Sequence, residues 1–150
     1  MRDLYFEDIV EGYRFETGAR SITEADIVNF AGVSGDFHKL HMDAEYAEKH
    51  TPYGRRIAHG MLVVSITTGL MVRSDFMRAI ETSTLGVKEI RCAFKKPVFI
   101  GDTIRVRAEI IGRSESKAGN RGTIQMRREV LNQNDEVVVE LSWFATLLKR

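Results

Sequence analysis

One cysteine, Cys92, occurs in 150 residues. No intramolecular disulfide can form, so the fold must rest on its core, and a reducing, cytoplasmic setting suits it. Cys92 lies in an apolar, strand-like run and is expected to be buried and inert. Prolines number two, Pro52 and Pro97. No Gly/Ser-rich linker, low-complexity segment or internal repeat divides the chain, which predicts a single domain over residues 1–150. Charge of one sign is also missing: the formal net charge is +1, so the whole-molecule field gives no argument for a nucleic-acid partner. Long hydrophobic runs are absent too. The longest weakly charged stretch, 57–72, holds His59, Ser65, Thr67 and Thr68, too short and too polar for a membrane span. The first dozen residues carry acids and no long apolar run, so no signal peptide is expected.

What is present is an ordinary soluble composition, 43% hydrophobic and 29% charged, with a change of period midway. The first half reads as helical. Residues 13–22 suggest a short strand with a turn. Thr23 can cap a helix whose first turn is acidic and whose apolar face is Ile27, Val28, Phe30 and Ala31. Gly32 and Gly35 end it. Asp43 can cap a second, short helix, and Pro52 and Gly54 mark a loop. From Gly60 to about Phe76 a third helix is apolar on nearly every side, which predicts burial beneath other elements. From residue 85 the period becomes two. Strands are predicted at 86–95, 103–112, 123–131 and 136–148, with a hairpin loop at 114–122 and turns at Gly101-Asp102 and 132–135. An all-round apolar helix followed by strands with one apolar face predicts an α+β fold, an antiparallel sheet around a central helix.

Chemistry concentrates in Gly35-Asp36-Phe37-His38-Lys39-Leu40-His41. An acid and two imidazoles fall within six positions. A carboxylate beside an imidazole moves protons near neutral pH, and Asp36, His38, His41 and His59 are also metal-ligand types. At the level of residue types both remain open, although no HExxH spacing or Cys/His cluster supports a metal hydrolase.

Three blocks narrow this. Residues 30–41, with Asp43 and Ala47 following, are similar to a hydratase motif written Gly-Asp-x-Asn-Pro-x-His. Ile57-Ala58-His59-Gly60-Met61-Leu62 resembles the entry to a central helix. Phe94-Lys95-Lys96-Pro97-Val98-Phe99-Ile100-Gly101-Asp102-Thr103-Ile104 resembles a mid-sheet signature. In this order and spacing the chain resembles the MaoC-like dehydratases, the (R)-specific enoyl-CoA hydratase group of the hotdog fold. It departs from the motif at His38-Lys39, where Asn-Pro is usual, and at Thr68, where a serine is frequent.

The resemblance implies an acyl-CoA partner, and water added syn across a 2-enoyl-CoA to give the (R)-3-hydroxyacyl product, or the reverse. It implies a dyad of Asp36 and His41 and a homodimer formed by sheet edges. No metal and no cofactor beyond the coenzyme A of the substrate are expected. The chemistry needs a base near the water, an acid near C2 and a donor at the thioester oxygen. The Gly60 N–H, at a helix start, suits the last role. Thr68 keeps a hydroxyl near the site, and Lys95 and Lys96 can meet the phosphates of coenzyme A. His38 either replaces the Asn structurally or touches substrate, and His59 has the same two options. His50, near a helix end, is read as structural. A hotdog thioesterase would place an acid on or near the central helix, and residues 60–74 carry none. A non-catalytic acyl-CoA-binding protein is the remaining alternative, kept open by His38-Lys39.

Overall fold

The computed structural model describes residues 2–117 and 119–150. After a 3-10 turn at Phe6–Asp8 come β1 (Arg14–Glu16) and β2 (Arg20–Ser21), then α1 (Glu24–Ser34), α2 (Lys39–Met42), α3 (Ala44–His50), α4 (Gly60–Met71) and α5 (Asp75–Ala79). Four long strands follow: β3 (Thr84–Phe94), β4 (Thr103–Glu115), β5 (Arg121–Leu131) and β6 (Val137–Leu148). The sheet is antiparallel, in the order β1-β4-β5-β6-β3, with β2 also on β4. The predicted α+β arrangement is therefore present. The region read as one short strand and turn is two short strands, both seated along β4.

The period-two reading of β4 is borne out: Ile104, Val106, Ala108 and Ile110 are fully buried. The outward residues form a charged lattice, in which Glu109 pairs with Arg14 and Arg127, and Glu16 with Arg105 and Arg107. Such exposed pairs are worth little individually; the apolar inner face carries the stability.

The helix starts also follow the sequence. Thr23 Oγ1 accepts from the Asp26 N–H, and Asp26 returns a bond to the Thr23 N–H, a capping box. Gly35 ends α1 in the left-handed region, φ 76°, which a β-carbon would disfavour. Asp43 Oδ1 accepts the Tyr46 N–H at 2.9 Å and caps α3. The Gly101-Asp102 turn forms, and Asp102 ties it to the next turn by accepting from Gln133.

Three expectations are corrected. The central helix stops at Met71, because Ser74 accepts the Met77 N–H and starts a separate helix, α5. Nor is it covered all round: Leu62, Val63, Thr67, Leu70 and Met71 are buried, while Met61, Ser65 and Gly69 are exposed. Spacings of three and four separate these two faces of α4. Finally, Cys92 is exposed. It sits on β3, which ends the sheet and is open on both faces, with Leu85, Val87, Ile90 and Phe94 also exposed. An apolar run predicts burial, but an edge strand has no neighbour in its own chain to supply it. The partial cover Cys92 does have pushes its thiol pKa up, away from thiolate reactivity.

Candidate active site

Gly35 turns the chain out of α1 and delivers Asp36 to the surface beside the start of α4. The Asp36 N–H donates to Ser34 Oγ at 3.2 Å, and Asp36 Oδ1 accepts the His38 N–H at 3.2 Å. The segment 38–42, read from sequence as loop, contains the one-turn helix α2. His38 is its N-cap: His38 Nδ1 accepts the Leu40 N–H at 3.1 Å. An Asn at this position caps through Oδ1 in the same way, and a proline suits the first helical position after it. His38-Lys39 thus supplies the same two places by another route: an imidazole nitrogen as acceptor and an ordinary residue at the first position. Of the two readings for His38, the geometry favours the local structural one.

His41 projects from α2 and accepts no freedom at Nδ1, which lies 2.8 Å from the Ile57 carbonyl. A carbonyl only accepts, so Nδ1 carries the proton and Nε2 holds the free lone pair. Burial first, and then the neighbouring His59 and His38, hold the His41 imidazole below its ordinary pKa. The Ile57 carbonyl and the Asp36 carboxylate pull in the other direction and are outweighed. The ring is therefore mainly neutral at pH 7, with its basic nitrogen available.

His59 is only 2% exposed. Its ring stacks on His41 with centroids 3.9 Å apart and planes 29° apart, and Phe30 tilts against it at 5.0 Å. His59 Nε2 lies 2.9 Å from the Asp36 carbonyl oxygen and must donate to it. One side chain therefore holds the backbone of Asp36 and the ring of His41 together. His59 Nδ1 is buried with no hydrogen-bond partner among the described residues. One ligand-type atom each from Asp36, His41 and His59 falls within 4.8 Å of the others. Asp36 and His41 stand five positions apart in the chain, and the intervening turn brings them together, as the spacing suggested.

A cavity of about 290 Å³ opens beside this group. His41, Gly60, Lys95 and Lys96 line it, with an apolar part from Val63, Val98 and Val139. Gly60 begins α4, and the cap residue His59 places no side-chain hydrogen bond on the first turn, which leaves its donors open. The Phe94 ring lies so close that a β-carbon on residue 60 would fall 2.5 Å from its Cε1. Lys95 and Lys96 reach the cavity while pairing with Glu140 and Glu136. Thr68 is not brought here. It lies two turns along α4, about 12 Å at 1.5 Å per residue, and its hydroxyl donates back to the Val64 carbonyl at 3.3 Å. Sequence reasoning missed Ile57, whose carbonyl sets the His41 tautomer, and Phe94, whose ring shields Gly60. Neither leaves a signal in residue type.

Residues 8–134 match the model of the MaoC-like domain. The chain belongs to the MaoC-like domain family. It is 42% identical over 103 residues to "Protein MaoC" of Klebsiella aerogenes, a match covering 69% of this chain but only 29% of that protein. It is 37% identical over 109 residues to an "(R)-specific enoyl-CoA hydratase" of Rhodospirillum rubrum, covering 72% of this chain and 70% of the relative. Among solved structures, a "Monoamine oxidase regulatory protein" of Archaeoglobus superposes with a TM-score of 0.86 at 35% identity, covering 100% of this chain and 97% of that one. A Mycobacterium tuberculosis protein described as a double hotdog fold superposes with a TM-score of 0.75 at 21% identity, covering 99% and 45%; at that identity the likeness shows the fold alone. The MaoC-like chain is thus a hotdog, as expected. Among its described residues no helix is long and apolar enough to cross a membrane.

Proposed function

We propose that this MaoC-like protein hydrates 2-enoyl-CoA to (R)-3-hydroxyacyl-CoA, or runs the reverse dehydration, as a single domain in the cytoplasm. The observation that carries this reading is the fixed tautomer of His41: Nδ1–H on the Ile57 carbonyl leaves the Nε2 lone pair of a ring that lines the cavity and clusters with Asp36. The Asp36 carboxylate accepts one hydrogen of a water molecule and His41 Nε2 accepts the other. As the water oxygen bonds to C3, Nε2 takes its proton and the C2=C3 electrons move toward the thioester carbonyl. The Gly60 N–H meets the developing negative oxygen. The imidazolium then returns a proton to C2 on the same face, so addition is syn and the proton count closes. Lys95 and Lys96, on the cavity wall, meet the phosphates of coenzyme A. Neither a metal nor an organic cofactor enters this scheme. The exposed edge of β3 pairs with that of a second copy to form a homodimer, since open ladder groups and the apolar residues beside them call for cover.

Hydration of a panel of 2-enoyl-CoAs, with chiral analysis of the product, tests the reading. An (R) product is expected, and an (S) product refutes it. The regulatory name carried by the Archaeoglobus relative favours one second reading, a protein that binds acyl-CoA without turnover. Tight binding of crotonyl-CoA with no loss of its enoyl absorbance would select that reading.

A further inference from the structure

A cavity of about 660 Å³ lies between the start of β3 and the hairpin that joins β4 to β5. Its floor is the outer face of the sheet. Thr123 and Thr146 pair in register there, and Gly86 follows beside Thr146 on β3. Gly86, at φ 148°, has no side chain to close the floor. Neither threonine hydroxyl has a hydrogen-bond partner among the described residues. Strict alternation would send Leu85 and Val87 to one face of β3 and Lys88 to the other. Register shifts at Thr84/Gly86 and Val87/Glu89 break it, and all three residues line the cavity. Such bulges re-aim side chains and gather beside functional sites. Three cations, Lys88, Lys117 and Arg121, face this space. Among the described residues none of them forms an ion pair or a side-chain hydrogen bond. The one acid of the lining, Glu115, is held by Lys149 at 2.9 Å. By contrast, Arg14, Arg91, Arg105, Arg107 and Arg127 of the same sheet all have carboxylate partners. A surface that pairs its other arginines leaves these three charges together and unanswered.

We propose that this cavity binds the phosphate groups of a nucleotide through Lys88, Lys117 and Arg121. Ammonium and guanidinium groups with free hydroxyls beside them are the donors a phosphate needs. The volume exceeds what inorganic phosphate fills and suits a nucleotide-sized ligand. Leu85 and Val87, both exposed, add apolar wall on which a base can lie. Two sources carry this chemistry: a free nucleotide, and the nucleotide end of coenzyme A, an adenosine with phosphates at its 3′ and 5′ positions. Coenzyme A held in the same chain's active site is poorly placed, since Leu85 and Phe94 stand at opposite ends of β3, about 30 Å apart at the strand rise. In the homodimer proposed above, a two-fold axis perpendicular to the sheet runs the paired β3 edges antiparallel. The start of one β3 then lies beside the end of its partner's, and this cavity flanks the active site of the other protomer. The coenzyme A source rests on the enoyl-CoA reading and on that dimer; the phosphate site itself does not.

Adenosine 3′,5′-bisphosphate is the probe, titrated calorimetrically into the wild type, the triple variant Lys88→Ala/Lys117→Ala/Arg121→Ala, and Arg78→Ala, which removes a charge elsewhere. All four residues are exposed, so both variants should melt as the wild type does. The wild type should bind the probe, more weakly as salt rises. The triple variant should bind at least about tenfold more weakly, and Arg78→Ala should bind as the wild type. Arg121→Gln alone reads the same loss in smaller measure if the triple variant unfolds. Crotonyl-CoA and crotonyl-pantetheine, which lacks the nucleotide, separate the sources. If coenzyme A is the ligand, the triple variant raises KM for crotonyl-CoA about tenfold at unchanged kcat and leaves crotonyl-pantetheine as it was. If a free nucleotide is the ligand, both substrates behave as in the wild type while probe binding is lost. If no enoyl thioester is hydrated but the probe still binds through these residues, the hydratase reading falls and the phosphate site stands. No binding of the probe to the wild type, equal binding by the triple variant, or an equal loss of crotonyl-pantetheine turnover would overturn the proposal.

Discussion

His59 and His41 stack face to face, 3.9 Å between ring centroids, while His59 Nε2 bonds the backbone of Asp36 at 2.9 Å. The buried histidine therefore acts on both members of the proposed dyad and need not touch substrate. His59→Phe keeps a ring against His41 and loses the bond to Asp36; His59→Asn loses the ring. Both variants should fold, and both should lower kcat for crotonyl-CoA about 10–10²-fold with a smaller change in KM, since small misplacements of reacting groups are costly. Steady-state kinetics on the two variants checks this.

The pH profile follows from the neutral His41. Protonation removes the Nε2 lone pair, so activity falls as pH drops through the His41 pKa. Burial and the neighbouring His59 hold that pKa below its ordinary value of about 6.5. The acid limb of kcat/KM should therefore lie below an ordinary histidine's, with activity flat through neutrality. A limb above pH 7 would contradict the assignment. The same sign applies to stability. The unfolded chain binds this proton more readily, so the contribution is complete above about pH 6.5 and is lost as pH falls through the folded pKa.

His38 tests the account of the departure from Asn-Pro. His38→Asn preserves an acceptor for the Leu40 N–H and should change stability by under about 0.5 kcal/mol and activity by no more than a few-fold. His38→Ala removes the cap and should cost about 1 kcal/mol. Thermal unfolding and crotonyl-CoA kinetics on the pair separate capping from substrate contact: a large kcat loss in His38→Asn with stability unchanged would point to contact.

The exposed β3 edge predicts its own partner. The wild-type protein should sediment as a dimer, and Ile90→Lys, which puts a charge among Leu85, Val87 and Phe94, should shift it toward monomer. Analytical ultracentrifugation reads the result.

Chelation separates a dyad from a metal centre. Asp36, His41 and His59 are close enough to hold an ion, yet in the proposed scheme Asp36 and His41 handle water and His59 supports them. Exhaustive dialysis against EDTA should leave hydration unchanged. Activity lost on dialysis and restored by one equivalent of zinc would move the site to metal chemistry.

Much of this site was legible because its determinants are local. Thr23, Gly35 and Asp43 announce helix ends through side-chain chemistry or φ, and the alternation of β4 announces its buried face. The acid and imidazole of the dyad lie five residues apart on either side of one turn. What the sequence hid depends on distant partners. Cys92 looks buried until β3 is known to be an edge. Thr68 looks near the site until α4 is measured from Gly60. His59 bonds a residue 23 positions away, and the Ile57 carbonyl, common to every residue type, sets the tautomer of His41. Arg128 sits in a doublet with Arg127, and only the strand register tells the outer arginine, paired with Glu109, from the buried inner one.

The central claim is that Asp36 and His41 together handle the water. Its most direct measurement is kcat/KM for crotonyl-CoA hydration in the wild type, Asp36→Asn and His41→Ala, each checked for intact folding by circular dichroism and melting temperature. Losses of about 10²–10⁴ are expected in both variants at near-unchanged stability. Wild-type-like turnover in either folded variant would contradict it.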